Sequence, residues 1–307
     1  MKTMKSEKIK EKRSKRKPLL PQVFTLLFAL CAFHCVAYAD PAADLKQFHD
    51  FFKKRFPTVA LDQFADGLYA LPGFEEYHEQ WQGFSALPPY EIGLDNGKKL
   101  WETPFKNGKG FASCFKNGGK NIAQGYPRWD KAAKQVRTVE MDLITCAKRN
   151  NAELKFLSAD LDRDQAARVQ LAELTAYVYS LARGNRLAPD VDLHDPDALK
   201  AYEAGKKFWW ARHGQWNFAC ASCHVDLAGK NLGGNQPLSA ALGHGTAWPA
   251  QRLEWGRLEL LHYRYATCLS QIRAKPPKLG SEIYNDIELY EKIMSSGLPL
   301  TAPAMRN

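Results

Sequence analysis

After residue 39 the chain lacks any apolar run approaching the roughly 20 residues that a bilayer-spanning helix needs, so no later segment is expected to span. No alternating strand pattern persists either, which leaves a mainly α-helical fold as the expectation. A strong basic excess is also missing from most of the chain. The sequence carries 43 Lys and Arg against 33 Asp and Glu, a net +10. Nine of those basic residues and two of the acidic ones lie in Met1–Lys17, so residues 40–307 carry only +3. The charge therefore gives no argument for nucleic-acid binding. What the basic start does fit is export. It is followed by an apolar run from Leu19 to Val36 and by Ala37-Tyr38-Ala39, small residues at the −3 and −1 positions of a cleavable signal peptide. Residues 1–39 are read as that peptide. The competing reading, an N-terminal membrane anchor, is opposed by the short run and by His34 within it.

Cysteine is scarce as well. Cleavage after Ala39 would remove Cys31 and Cys35 and leave Cys114, Cys146, Cys220, Cys223 and Cys268. An odd number in an oxidising compartment leaves one thiol to explain. Residues 40–90 read as an N-terminal helical extension, with Leu45, Phe48, Phe52 and Phe56 three or four apart. The remainder reads as a repeat. Gly97-Lys98-Lys99-Leu100-Trp101 recurs as Gly205-Lys206-Lys207-Phe208-Trp209, and Cys114 recurs as Cys223. Each unit closes on a helical pattern, Leu171 to Leu181 in the first and Ile287 to Met294 in the second. Gly184 to Pro196 has loop composition and is read as the link. The expected units are 91–190 and 191–307.

Cys220-Ala221-Ser222-Cys223-His224 carries the chemistry. Two cysteines and a histidine at this spacing can form two thioethers to a porphyrin's vinyl groups and direct an imidazole at its iron. A thioredoxin-like pair is less well supported, because no βαβ pattern precedes it, and a zinc site lacks a second cysteine pair. In the first unit the corresponding stretch is Phe111-Ala112-Ser113-Cys114-Phe115, with phenylalanine replacing the first Cys and the His. Covalent attachment and iron ligation are both lost there. The expected fold is thus a tandem duplication of class I cytochrome c-like domains, the first lacking haem, with one covalently bound haem c on Cys220, Cys223 and His224. Cys114 and Cys146 are the natural disulfide pair, since pairing either with Cys268 would strand the other.

Cys268 remains as the odd thiol. A helix starting near Glu254 would place Arg264 four residues before it, on the same face. A neighbouring cation makes thiolate more available, and a guanidinium can hold an oxyanion through its forked donors. The bland reading of a lone cysteine is an inert buried thiol. Met141, Met294, Met305 and the other histidines, His244 foremost, compete with Cys268 for the iron's sixth position.

The segment from Gly205 through the haem motif to Arg273, followed by Gly280-Ser281-Glu282 and Ser296-Gly297-Leu298-Pro299-Leu300, resembles the SoxA subunit of the SoxAX thiosulfate-oxidising cytochromes. The likeness reaches upstream to Trp101-Glu102-Thr103-Pro104-Phe105 and Asn107-Gly108-Lys109. It implies that Cys268 ligates the iron and is the active-site cysteine, often a persulfide in the family, and that Arg264 holds thiosulfate. Arg252 and Arg273 fall at basic positions of the same signature, as substrate-binding and catalytic candidates. It further implies the single-haem branch, where a disulfide persists in the first domain. The implied protein is periplasmic and pairs with a small c-type cytochrome, SoxX, with or without a small accessory subunit. Its implied activity is L-cysteine S-thiosulfotransferase, joining thiosulfate to a cysteine of the carrier SoxYZ and passing electrons to cytochrome c. The reading from another class is a non-catalytic electron-transfer cytochrome subunit, with Cys268 structural.

Overall fold

A computed structural model describes residues 40–233 and 236–306; the expected signal peptide lies outside the described residues. The first helix, α1 (Pro41–Arg55), shows why helices start where they do. Asp40 caps it by accepting from the Ala42 and Ala43 amides at 3.1 and 3.0 Å, and Pro41 occupies the first turn, where no amide is needed. Lys53, Lys54 and Arg55 oppose the negative end of its dipole. A 3₁₀ stretch, Leu61–Ala70, and α2 (Glu75–Ala86) complete the N-terminal extension.

Two helix pairs organise the rest. In the first, α3 (Glu91–Glu102) packs on the long helix α6 (Gln165–Ser180), with α4 (Val139–Arg149) and the single turn α5 (Lys155–Ser158) between them in sequence. In the second, α7 (Pro196–Trp210) packs on α9 (Glu282–Met294), with α8 (Leu261–Gln271) between them. Each pair meets at a glycine. A Cβ on Gly97 would lie 2.0 Å from the Glu173 carbonyl oxygen, and one on Gly205 would lie 2.0 Å from that of Asp286. Only glycine lets the backbones approach so closely. Each pair carries its own core: Trp101, Leu143, Leu171 and Leu174 in the first, Tyr202, Trp209, Leu289 and Tyr290 in the second.

Strands are present but short. They are β1 (Arg128–Asp130) with β2 (Gln135–Arg137), and β3 (Asn231–Leu232) with β4 (Gln236–Pro237). A three-stranded sheet also forms from β5 (Ala250–Arg252), β6 (Arg257–Glu259) and β7 (Ala304–Arg306). In it β5 pairs antiparallel with β6 and parallel with β7, which sets Arg252 beside Arg306. Segments of two or three residues are too short to show a period of two, so the sequence carried no strand signal. The sheet also corrects the expected start of α8. Residues near Glu254 form a 3₁₀ turn closed by Gly256 at φ 61, and the helix begins only at Leu261. Arg264 and Cys268 nevertheless share that helix, four residues apart. Among the described residues no helix is long and apolar enough to cross a membrane.

Candidate haem and sulfur site

The Cys-x-x-Cys-His segment lies on a wide turn, Ser222–Asp226, with π-type hydrogen bonding. Such widened turns recur at functional sites because they re-aim side chains. The carbonyls at the end of this turn are satisfied from the N-terminal extension. Arg55 donates to the oxygens of Val225 at 2.6 Å, Asp226 at 3.0 Å and Ala228 at 2.8 Å. The role of Arg55 was not legible in the sequence, where it reads as a charge ending an amphipathic helix.

Cys220, Cys223 and His224 border a cavity of about 370 Å³ whose wall includes Trp216, Phe218, Trp248 and Leu261. Cys268 and Arg264 of α8 line the same cavity, as does Arg252 of β5. His224 donates from Nδ1 to the Ser239 carbonyl at 3.0 Å, which leaves Nε2 as the nitrogen with a lone pair available to a metal. Burial, then the neighbouring His244, hold its imidazole neutral well below the usual range. Burial pushes the Cys220 and Cys223 thiols up. Among the described residues no three His, Cys, Asp or Glu converge closely enough to hold a bare ion. The four donors Cys220, Cys223, His224 and Cys268 are instead spread around an apolar cavity. That arrangement fits a planar group bringing its own four nitrogen ligands, anchored by two thiols and one neutral imidazole.

The rival sixth ligands separate clearly. His244 packs edge-on against His224, ring centroids 4.4 Å apart, and its Nε2 is bonded to Ser239 Oγ at 2.8 Å. It therefore sits beside His224, on that side of the cavity. Met294 and Met305 are buried outside the cavity wall, and the Met141 sulfur accepts from Asn285. Of the candidates, Cys268 reaches the cavity without such an engagement.

The arginines divide as well. Arg264 is half-buried, and among the described residues its Nη1 is buried without a hydrogen-bond partner. Arg252 is buried, pairs with Glu254 and lies over the Trp255 ring at 5.1 Å. Burial, then the charge of Arg264, lower its pKa to about 10. Arg273 is not brought to the cavity. Helix α8 ends at Gln271, and Arg273 takes φ 57, so its exposed guanidinium lies over Trp216 at 5.8 Å. Among the described residues one acid lines the cavity, Glu291, and it accepts from Trp209 Nε1 at 2.9 Å and the Tyr265 hydroxyl at 2.6 Å.

At Phe111–Phe115 the surroundings are aromatic. Phe111 is buried and stacks on Trp101 with centroids 5.9 Å apart; Phe105 meets it edge-on at 4.9 Å, and Phe115 lies 5.5 Å from Trp101. Cys114 is joined to Cys146 of α4 in a disulfide.

A mainly helical fold with these donors around an apolar cavity defines a c-type cytochrome architecture, and comparison with known proteins agrees. The family model for the SoxA/TsdA cytochrome c domain matches residues 96–187. The chain is 40% identical over 264 residues to the L-cysteine S-thiosulfotransferase subunit SoxA of Chlorobaculum tepidum, covering 86% of this chain and 87% of that one. It is 39% identical over 272 residues to the subunit of the same name from Allochromatium vinosum, covering 88% and 92%. The crystal structure of SoxXA from P. pantotrophus shares the fold, with a TM-score of 0.61 at 23% identity over 72% of this chain and 79% of that one. The chain belongs to the SoxA family.

Proposed function

We infer that the chain works as the SoxA subunit of an L-cysteine S-thiosulfotransferase, in the periplasm and in complex with a SoxX cytochrome. The observation that carries the reading beyond family membership is the pairing on α8. Cys268 and an arginine with a buried, unpartnered nitrogen face the cavity that Cys220, Cys223 and His224 border. A haem propionate is an alternative partner for that cation, so the discriminating feature is Cys268 itself, which faces the cavity together with it.

Cys220 and Cys223 would hold one haem c by thioethers, with His224 and Cys268 on its iron. When bound, the haem supplies a one-electron acceptor beside the sulfur chemistry and, with SoxX, a route for electrons to cytochrome c. The protein's own part begins with charge. Thiosulfate is a small dianion, and Arg264 with Arg252 hold its sulfonate oxygens, leaving the outer sulfur toward Cys268. The Cys268 thiolate and that sulfur form an S–S bond, and two electrons leave. A thiolate of the SoxYZ carrier then attacks the same outer sulfur and displaces Cys268, which returns as thiolate. Overall one carrier thiol and one thiosulfate lose one proton and two electrons and gain one S–S bond. A persulfide on Cys268, as the family likeness implies, runs the same exchange one sulfur further out. Arg273, outside the cavity, fits a place at the rim where the carrier arrives.

The domain layout follows the same reading: a signal peptide over 1–39, an extension over 40–90, and two cytochrome c-like units over 91–190 and 191–307, the first without haem. Three observations support duplication. The glycine crossings of α3 on α6 and α7 on α9 repeat with the same close approach. Glu173 and Asp286 at those crossings are 113 residues apart, and so are Tyr179 and Lys292, which bond to each other where α6 meets α9. The cytochrome c family model matches the unit that has no haem residues of its own.

The test is Cys268→Ala in the complex with SoxX and carrier. Turnover should drop on the order of 10³-fold or more, as when a covalent relay is removed, and the haem spectrum should change. Survival of both would leave only the electron-transfer reading.

A further inference from the structure

Beyond Arg264 and Arg252, a third arginine lines the cavity. It comes from the far end of the chain. Arg306 on β7 is the Cα partner of Arg252 on β5. Like charges on directly opposed strand positions are destabilising, and neighbouring carboxylates do not fully relieve this pair. Arg252 has Glu254, and Asp66 lies near enough to act on the charge of Arg306, but among the described residues no carboxylate is hydrogen-bonded to Arg306. Its two terminal nitrogens donate to the backbone oxygens of Met305 at 2.9 Å and Ala65 at 2.8 Å, which fixes the guanidinium and leaves further N–H groups. Tyr69 stands 6.0 Å from it, and a Cβ on Gly67 would lie only 3.5 Å from its Nε. The extension thus closes around Arg306 and holds its fork in place. With three arginines and the doubly hydrogen-bonded Glu291 as its charged lining, the cavity is positive.

We propose that Arg306, held beside Arg252 by the β5–β7 pairing and against residues 65–69 of the extension, is an oxyanion-positioning residue of this cavity. The ligand is a sulfonate or carboxylate oxygen, from thiosulfate or from a haem propionate. The first source rests on the function proposed above; the second needs only that the cavity holds haem.

The experiment uses holoprotein with SoxX and carrier, comparing wild type, Arg306→Gln and Arg306→Lys. It reads KM and kcat for thiosulfate together with the haem midpoint potential and its dependence on pH. A thiosulfate ligand predicts a KM increase of about tenfold in Arg306→Gln, the usual loss for one charge-assisted hydrogen bond, with kcat and potential held and partial rescue in Arg306→Lys. A propionate ligand predicts a lowered potential with altered pH dependence and an unchanged KM. Wild-type values of both in Arg306→Gln would overturn the proposal and leave Arg306 as a strut for the Ala65 and Met305 carbonyls. A Gln variant that does not fold leaves the decision to Arg306→Lys, which keeps the charge but loses the fork: an unchanged KM and potential there also overturn it. Should wild type itself fail to consume thiosulfate, the proposed function falls while the potential still reports on Arg306.

Discussion

The turn at Phe111–Phe115 and the turn at Cys220–His224 stand at corresponding places behind two similar helix pairs, and their surroundings could hardly differ more. Around the first, Trp101, Phe105, Phe111 and Phe115 pack on one another, and a disulfide ties the turn to α4. Around the second, the chain leaves a cavity lined by thiols, imidazoles and arginines. A small helical unit needs apolar volume at that position to be stable, and either aromatic side chains or a porphyrin can supply it. On the function proposed above, having side chains there would release one unit from cofactor binding. On the same reading the other unit would depend on its cofactor for burial, and among the described residues it keeps a polar group without a partner, Arg264 Nη1.

If side chains do replace a prosthetic group in the first unit, removing one should be severe. Phe111→Ala should destabilise the holoprotein by about 3–5 kcal/mol, the usual range for a fully buried phenylalanine, in a denaturant titration. A loss under 1 kcal/mol would mean that the aromatic cluster does not fill the unit's core.

A smaller effect probes the helix crossings that the units share. Burial raises the carboxyl pKa at both, that of Glu173 in the first and, to about 7, that of Asp286 in the second. An acid whose folded pKa is raised gives up its proton first in the unfolded chain, so stability falls as pH rises from about 4 to 7. Asp286→Asn should remove most of that fall and be more stable than wild type at pH 8 by on the order of 2 kcal/mol. At pH 4 the two should match. An equal difference at both pH values would remove ionisation as its cause.

The sequence made some of this arrangement readable and concealed the rest for physical reasons. Cys220, Cys223 and His224 are legible because their spacing alone encodes the chemistry. Arg264 and Cys268 are legible because an i, i+4 relation survives even when the helix start is misplaced by several residues. Arg306 was not legible: a parallel pairing of three-residue strands brings it to Arg252 across more than fifty residues, without any periodic trace. Ser239 and Arg55 act through backbone contacts, which side-chain patterns do not encode. Arg273 matched a signature but fell one residue beyond the helix cap, Ile272, where a left-handed φ turns it away.

The contrast between the two turns is tested most directly by peptide-mapped mass spectrometry of the mature holoprotein. One haem should be found, on the peptide carrying Cys220 and Cys223, with the peptides carrying Cys114 and Cys146 joined by a disulfide and free of haem. A second haem on the Cys114 peptide, or none on the Cys220 peptide, would contradict the division of labour described here.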